Sequence, residues 1–356
     1  MKSQGYAAQY AGDTLAEYSF ERRACGDEDV VIDILFCGVC HSDIHYVNND
    51  WGRSLYPVVP GHEIVGRVSA VGSAVSRFSV GDYAGIGCFV DSCRQCAACH
   101  DGDEHYCATA PTMTYGGIDR ETKLPTFGGY SNNYVVNEAY ALKISERLDL
   151  AATAPLLCAG ITTWSPLRHW KVGPGQKVGV VGLGGLGHMA VKFAKAFGAE
   201  VVMITRSEAK AEDAQKLGAD HVALSTDRES MKRWTNTLDF ILDTVSAPHD
   251  MDANLRLLKR DGVCCLVGLP ESPLSFSAFQ TTSRKAITGS FIGGIRETQD
   301  MLDFCAEHNI VSDIELIDIQ SVNEAYERVL KSDVKYRFVI DMASLDAKAL
   351  PQLLNE

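Results

Sequence analysis

Residues 178–188, Val-Gly-Val-Val-Gly-Leu-Gly-Gly-Leu-Gly-His, place the spacing G-x-G-x-x-G at Gly182, Gly184 and Gly187. An apolar run precedes the motif and a helical pattern follows, the setting in which such a turn presents a helix N-terminus to a pyrophosphate. Gly182 permits the tight turn, Gly184 lets backbone approach the phosphates, and Gly187 lets helix and strand pack closely. An ordinary glycine-rich turn would need no particular surroundings, whereas this one sits in a long alternation. From 177 to 293 apolar strands and helical stretches follow one another: KVGVVGL, HMAVKFAKAFG, EVVMIT, AKAEDAQKLG, FILDTV, ANLRLLKRDG, VCCLVGL and KAITGSF. The pattern predicts an α/β unit, a doubly wound parallel sheet of the Rossmann kind.

The flanks read differently. The first ~150 residues are β-rich, with strand-like runs VVIDILF (30–36), EIVGRVSAVG (63–72) and YSNNYVV (130–136) punctuated by Gly and Pro. After 294 come two helices, ETQDMLDFCAEHN and SVNEAYERVLKS, then a strand, YRFVIDM, and the closing dozen residues are expected to be a loosely held tail. For 356 residues, two domains are the natural expectation at roughly 150 residues each. We place the nucleotide-binding domain at 154–293 and the other domain at 1–153 with 294–356.

Charge narrows the partners. Lys+Arg 33 against Asp+Glu 46 leaves a formal charge of −13, which argues against a nucleic acid or an anionic membrane as the main partner. No apolar run reaches the ~18 residues of a membrane span. The N-terminal stretch lacks the basic and apolar regions of a signal peptide, so the expectation is a soluble, cytoplasmic protein.

Twelve cysteines are many for such a chain. A reducing compartment disfavours disulfides, so clustered cysteines point to metal. Cys93, Cys96, Cys99 and Cys107 follow C-x2-C-x2-C-x7-C in a segment without apolar periodicity. Such spacing lets four thiolates converge on one tetrahedral ion at about 2.3 Å each, a closed and therefore structural site. Two local disulfides or free thiols are the competing reading, and His100 and His105 become bystanders once four thiolates are present. A second set, Cys40, His62 and Cys158, is dispersed. Each alone reads equally well as a packed cysteine or a satisfied polar group. Together they would leave a fourth position open for water or substrate, as a catalytic site needs.

The nucleotide is read at the end of the second strand of the alternating region. NAD would need an acidic residue there, about 20 residues past the fingerprint. The chain offers Thr205, Arg206, Ser207 and Lys210, with Glu208 on the turn and Glu200 at the wrong end of the strand. Arg206 suits a 2′-phosphate, with Thr205, Ser207 and Lys210 completing a small anion site. NADP(H) is therefore favoured over NAD(H). Ordinary surface charge is the other reading of Arg206 and Lys210.

These motifs together resemble the zinc-dependent medium-chain alcohol dehydrogenases. GHEIVGRVSAVGSAV (61–75) matches the long signature G-H-E-x2-G-x5-G-x2-V. GVCHSDIH (38–45), YPVVPGHE (56–63), PLLCAGITTWSPL (155–167), GLGGLGHMAVKFAK (182–195) and DVKYRFVID (333–341) are similar to the cinnamyl alcohol dehydrogenase branch of NADP-dependent aldehyde reductases. The resemblance is collinear over nearly the whole chain, and looser across 110–150 and 200–290.

It implies a GroES-like β-rich catalytic domain beside the Rossmann domain, and a homodimer joined near residues 285–292. It makes Cys40, His62 and Cys158 the ligands of a catalytic zinc, with Glu63 a nearby carboxylate that approaches the metal during ligand exchange. The four-cysteine set becomes a structural zinc site. Ser42 would contact the reacting oxygen, and His45, oriented by Asp50, would pass protons to solvent. Thr162, the turn Gly182, Leu183, Gly184, Gly185, Leu186 and Gly187, the 205–210 segment, Thr244 and Gly268 fall on cofactor-contact positions, as does Ser42. Ser290, Phe291 and Ile292 would hold the nicotinamide end. Trp51 and Trp164 fall at substrate-pocket positions, although Trp164 also reads as packing. The implied reaction is hydride transfer between NADP(H) and a primary alcohol or aldehyde, aromatic or aliphatic. Two alternatives share parts of the pattern: an NAD-linked zinc polyol dehydrogenase, and a non-catalytic dinucleotide-binding protein of the zinc-free quinone-reductase kind.

Overall fold

The computed structural model describes residues 1–345, so the expected C-terminal tail lies, apart from Leu345, outside the described residues. The chain divides into two compact units, one of residues 1–158 with 293 onward and one of Ala159–Ile292. The expectation had drawn the first boundary five residues earlier, at 153 against 158.

In the second unit, six strands form one parallel sheet. Their order is His221–Leu224, Glu200–Thr205, Lys177–Val181, Leu238–Asp243, Leu258–Leu266 and Ala286–Gly289. Numbered along the chain this is 3-2-1-4-5-6, the doubly wound order whose turn of direction falls beside Lys177–Val181. The strands at its centre are continuous apolar runs because helices cover both faces, and Val178, Val180, Val201, Val202 and Ile241 are fully buried. The run ANLRLLKRDG, expected to be helical, is helix only over Met251–Leu257. Leu258 already pairs with Leu238, and the register then slips so that Phe240 meets Val263. Lys259, Arg260 and Asp261 are exposed in that excursion and Asp261 has φ 66°, which no helix continues through.

The first unit is built on a mixed sheet. Its strands run in the order Ile314–Asp318, Arg337–Asp341, Asp29–Gly38, Ile64–Val71, Tyr83–Ile86 and Leu142–Lys143, with Asn133–Asn137 also paired to Asp29–Gly38. Ile314–Asp318, which the sequence reading missed, runs parallel to Arg337–Asp341 and is half exposed, so its apolar signal is weak. An N-terminal hairpin, Lys2–Ala7 with Ala16–Glu21, packs outside this sheet.

Trp164 had two readings, substrate pocket or packing. It lies on the helix Ala159–His169, only 4 % exposed, edge-on to Phe193 at 5.3 Å and Phe197 at 5.0 Å. The ring is taken up by helix–helix packing inside the nucleotide unit, the packing reading of this residue. Trp164→Ala is expected to destabilise the protein by about 3–5 kcal/mol, the usual range for deleting a core aromatic. Denaturant unfolding checks this, and a loss below about 1 kcal/mol would contradict the packing role.

Candidate active site

Three chain segments converge in the first unit. The strand Asp29–Gly38 delivers Cys40 to the start of the helix His41–Asn48, and Gly38 N–H donates to Glu63 O at 2.9 Å. His62 and Glu63 lead into the strand Ile64–Val71, and Cys158 follows a short 3-10 helix, Ala154–Leu157. The ligand atoms of Cys40, His62, Glu63 and Cys158 all lie within 4.8 Å of one another, and all four residues are buried. Cys40 Sγ and Cys158 Sγ are 3.9 Å apart.

The electrostatics favour a cation at this point. The hydrogen bond to Cys158 holds the Cys40 thiol well below its ordinary range, with the Arg337 charge adding to the effect. Cys158, as the donor of that bond, is pushed well above. Burial pushes Glu63 up to about 8, against the pull of Arg337. Arg337 donates through Nη2 to Glu63 Oε1 at 2.8 Å and reaches Cys40 Sγ at 3.5 Å. Glu63 Oε2 is buried without a hydrogen-bond partner. Two thiols, an imidazole and an unpartnered carboxylate oxygen in one dry space form a donor set that suits Zn²⁺. Asp43 lies 3.3 Å from His62 Nδ1, which leaves Nε2 as the nitrogen available to a metal. Tyr115 stacks on the same imidazole at 5.6 Å.

The cluster Cys93, Cys96, Cys99 and Cys107 also gathers its sulfurs within 4.8 Å. Backbone N–H groups point at them: Cys93 to Cys107 Sγ at 3.3 Å, Cys96 to Cys93 Sγ and Ala108 to Cys96 Sγ, both at 3.4 Å. N–H donors aimed at sulfur stabilise thiolates. Cys107 falls to about 6, where bonds from Cys93 and Thr109 outweigh burial, while burial lifts Cys99 to about 11. All twelve cysteines are free, and neither His100 nor His105 joins the cluster. Burial drops His105 to about 4, so it stays neutral there.

Ser42 and His45 are three apart on one helix and share a face. His45 is buried with Nδ1 2.7 Å from Asp50 Oδ2, and its ring packs on His41 and Trp51, each at 4.9 Å. Asp50 is partly exposed and forms the solvent end of this pair. Trp51 is half-buried, edge-on to Tyr46 at 5.4 Å.

In the nucleotide unit each glycine of the turn has a distinct reason. Gly182 has φ 89°, and a Cβ there would come within 2.9 Å of Val245. A Cβ on Gly187 would overlap the Gly182 carbonyl, whereas Gly184 is exposed with nothing within 4 Å. The open side at Gly184 is where backbone can meet phosphate. Leu183 is buried, while Gly185 and Leu186 begin the helix Gly185–Ala196. Thr244 Oγ1 donates within the turn region, to Val181 O at 2.7 Å and Gly182 O at 3.1 Å. Gly268 N–H bonds Asp243 O at 3.2 Å, and a Cβ there would overlap Val245 backbone. At the neighbouring strand end Thr205 Oγ1 accepts the Ser207 N–H and Arg206 is exposed. Lys210 Nζ donates to Leu183 O at 3.0 Å, and burial together with the Arg206 charge lowers its basicity. Thr162 is buried, Ser290 half-buried, Phe291 exposed, and Ile292 adopts φ 40°.

The sequence reading missed Arg337, Asp43 and Tyr130. The first lies within DVKYRFVID and the second within GVCHSDIH, motifs already noticed, but nothing local signals which strand or helix they will face.

Residues 26–146 match the family model described as alcohol dehydrogenase GroES-like domain, and 185–307 the model described as zinc-binding dehydrogenase. NADP-dependent alcohol dehydrogenase C 1 of Mycolicibacterium smegmatis is 55 % identical over 96 % of this chain and 98 % of its own. Aldehyde reductase YahK of Escherichia coli is 54 % identical over 97 % and 99 %. Among solved structures, a cinnamyl alcohol dehydrogenase from Sorghum bicolor superposes with TM-score 0.94 at 47 % identity, covering 96 % of this chain and 98 % of that one. The Helicobacter pylori enzyme complexed with NADP(H) gives TM-score 0.91 at 43 % identity, covering 96 % and 99 %. The chain belongs to the zinc-dependent medium-chain alcohol dehydrogenases, in their cinnamyl alcohol dehydrogenase-like branch.

Proposed function

We propose that this protein is an NADP(H)-dependent zinc alcohol dehydrogenase acting chiefly as an aldehyde reductase. The observation that carries the reading is the buried meeting of Cys40, His62, Glu63 and Cys158. Cys40, His62 and Cys158 would hold the catalytic zinc, and Cys93, Cys96, Cys99 and Cys107 the structural one. When bound, the catalytic zinc supplies Lewis-acid polarisation of a carbonyl oxygen, and the nicotinamide supplies the hydride. The chain does the rest. Ser42 donates a proton to the nascent alcohol oxygen, and His45, held by Asp50, restores it from solvent. Arg337 holds Glu63 by one oxygen and leaves the other free beside the ligands. The 182–187 turn takes the pyrophosphate, and Thr162, Gly268 and residues 290–292 take the remainder of the dinucleotide. Trp51 lines the aldehyde pocket. Cells keep NADPH mostly reduced, so the reducing direction prevails.

A soluble cytoplasmic homodimer completes the reading. The twelve free cysteines suit a reducing compartment. Among the described residues no single helix is long and apolar enough to cross a membrane. The strand Ala286–Gly289 ends the parallel sheet with one side unpaired, and Phe276 and Phe279 stand exposed nearby in sequence. A second copy pairing there would cover an edge that otherwise invites aggregation. A zinc polyol dehydrogenase usually carries a carboxylate in place of the second cysteine ligand and a zinc-free quinone reductase lacks both ligand sets, so Cys158 and the two clusters argue against these alternatives.

The metal assignment separates two cysteines. Cys158→Ala is expected to lose one zinc and nearly all activity while unfolding and dinucleotide binding stay near wild type. Cys99→Ala is expected to lower the unfolding midpoint, because a structural zinc contributes folding energy to its loop. Zinc per chain with thermal unfolding tests this, and equal loss of folding in both variants would overturn the assignment.

The cofactor assignment is tested at 205–206. A charge-assisted contact between Arg206 and a 2′-phosphate is worth about 1.5–3 kcal/mol, or roughly 10- to 150-fold in preference. Thr205→Asp with Arg206→Ile removes the attraction and adds repulsion. NADPH efficiency should collapse while NADH efficiency holds or rises, measured as kcat/KM for both. A double variant that keeps its NADPH preference would refute the role of this segment.

A further inference from the structure

The segment Gly128-Gly129-Tyr130 lies flat along Val59-Pro60-Gly61. Gly128 N–H donates to Val59 O at 2.7 Å, Gly129 N–H to Gly61 O at 2.8 Å and Tyr130 N–H to Pro60 O at 3.0 Å. The approach is too close for side chains: a Cβ on Gly128 would overlap the Pro60 carbonyl, and one on Gly129 would press into Ile64 and Cys37. Tyr130 itself is wholly buried, and its hydroxyl donates to Asp43 Oδ2 at 3.2 Å. That carboxylate also accepts Cys40 N–H at 2.8 Å and Gly61 N–H at 3.1 Å, and it lies 3.3 Å from His62 Nδ1.

Behind the segment sits Arg22, the residue after the second strand of the N-terminal hairpin. It donates to Phe127 O at 2.7 Å, and to Gly128 O and Ser131 Oγ at 2.9 Å each, with its guanidinium 4.2 Å from the Tyr134 ring centre. Burial lowers this guanidinium only to about 10, so it stays charged near neutrality. A charged, three-armed donor closing on one turn leaves that turn little freedom.

We propose that Tyr130 is a positioning residue of the metal centre, completing the hydrogen-bond shell of Asp43, and that Arg22 holds Tyr130 in place. The N-terminal hairpin then belongs to the catalytic apparatus, although none of its residues touches a ligand. The inference rests on the zinc assignment above. The route is contiguous: Arg22 fixes the 127–131 turn, the turn fixes Tyr130 and Gly61, and both fix Asp43 against His62. Partners bonded directly to a metal ligand, as Asp43 is to His62, commonly change affinity 10- to 100-fold when lost, and Tyr130 acts one bond further out, at the low end of that range.

The experiment uses the zinc-loaded full chain. Wild type, Tyr130→Phe and Arg22→Lys are exposed to excess dipicolinate, and zinc per chain is followed by atomic emission. Tyr130→Phe keeps the ring and removes one hydroxyl. It is expected to release one zinc roughly tenfold faster than wild type, with the second zinc released at the wild-type rate and the protein still folded. Arg22→Lys keeps the cation but loses the fork, and is expected to act in the same direction. The visible spectrum of the cobalt-substituted catalytic site should shift in Tyr130→Phe, which a merely structural role would not produce. Release at the wild-type rate with an unshifted spectrum in Tyr130→Phe overturns the inference and leaves the zinc assignment standing. A wild-type chain that holds only one zinc overturns the assignment itself. Should Arg22→Lys fail to fold, Tyr130→Phe decides alone.

Discussion

One buried carboxylate holds the catalytic unit together. Asp43 is wholly excluded from solvent, and its two oxygens meet two backbone N–H groups, a phenol and an imidazole. Burying a charge without partners is prohibitively costly, so each partner is obligatory for the others to sit where they do. Through Cys40 N–H it closes the first turn of the helix His41–Asn48, and through Gly61 and His62 it fixes the entry to the strand Ile64–Val71. Removing it would release the helix start, the His62 ring and the Tyr130 hydroxyl together.

Around that junction the site is arranged to be incomplete by itself. The Glu63–Arg337 pair is fully buried, a geometry that stabilises little on its own and costs much when one partner is lost. Glu63 Oε2 and Arg337 Nε both lack partners. A fold does not retain such groups for stability. The carboxylate oxygen makes sense beside a dication, which stabilises thiolates and offsets the carboxylate at once. The four-cysteine loop shows a different design, with three of its four sulfurs accepting backbone N–H donors.

The sequence carried the fold wherever its signals were local. The glycine spacing at 182–187 and the alternation through 293 specify the parallel sheet, because the central strands Lys177–Val181, Glu200–Thr205 and Leu238–Asp243 are buried on both faces and read as apolar runs. The cysteine spacing at 93–107 was legible for a related reason: four sulfurs close in sequence gather within 4.8 Å of one another. The dispersed set Cys40, His62 and Cys158 was legible only through longer motifs. Nothing in Arg337 alone announces that a strand near the chain end will lie beside Asp29–Gly38 and place a guanidinium on Glu63. Tyr130 was equally silent, since a buried tyrosine reads as core until its hydroxyl is traced. ANLRLLKRDG misled because helix and strand share Leu257 and Leu258, and only the pairing of Leu258 with Leu238 decides between them.

The pairing of Arg337–Asp341 with Phe36–Gly38 has a consequence in time. A chain emerging from a ribosome at about 5–20 residues per second needs roughly ten to forty seconds to pass from Cys158 to Arg337. The nucleotide unit, contiguous from Ala159 to Ile292, can close during that interval. The catalytic unit cannot, because a strand and the cation facing Glu63 are still to come. Cys40, His62 and Cys158 therefore spend the wait as exposed nucleophiles near an unfinished sheet edge. On the proposed zinc assignment, the last part of that centre to be synthesised is the guanidinium that faces Glu63.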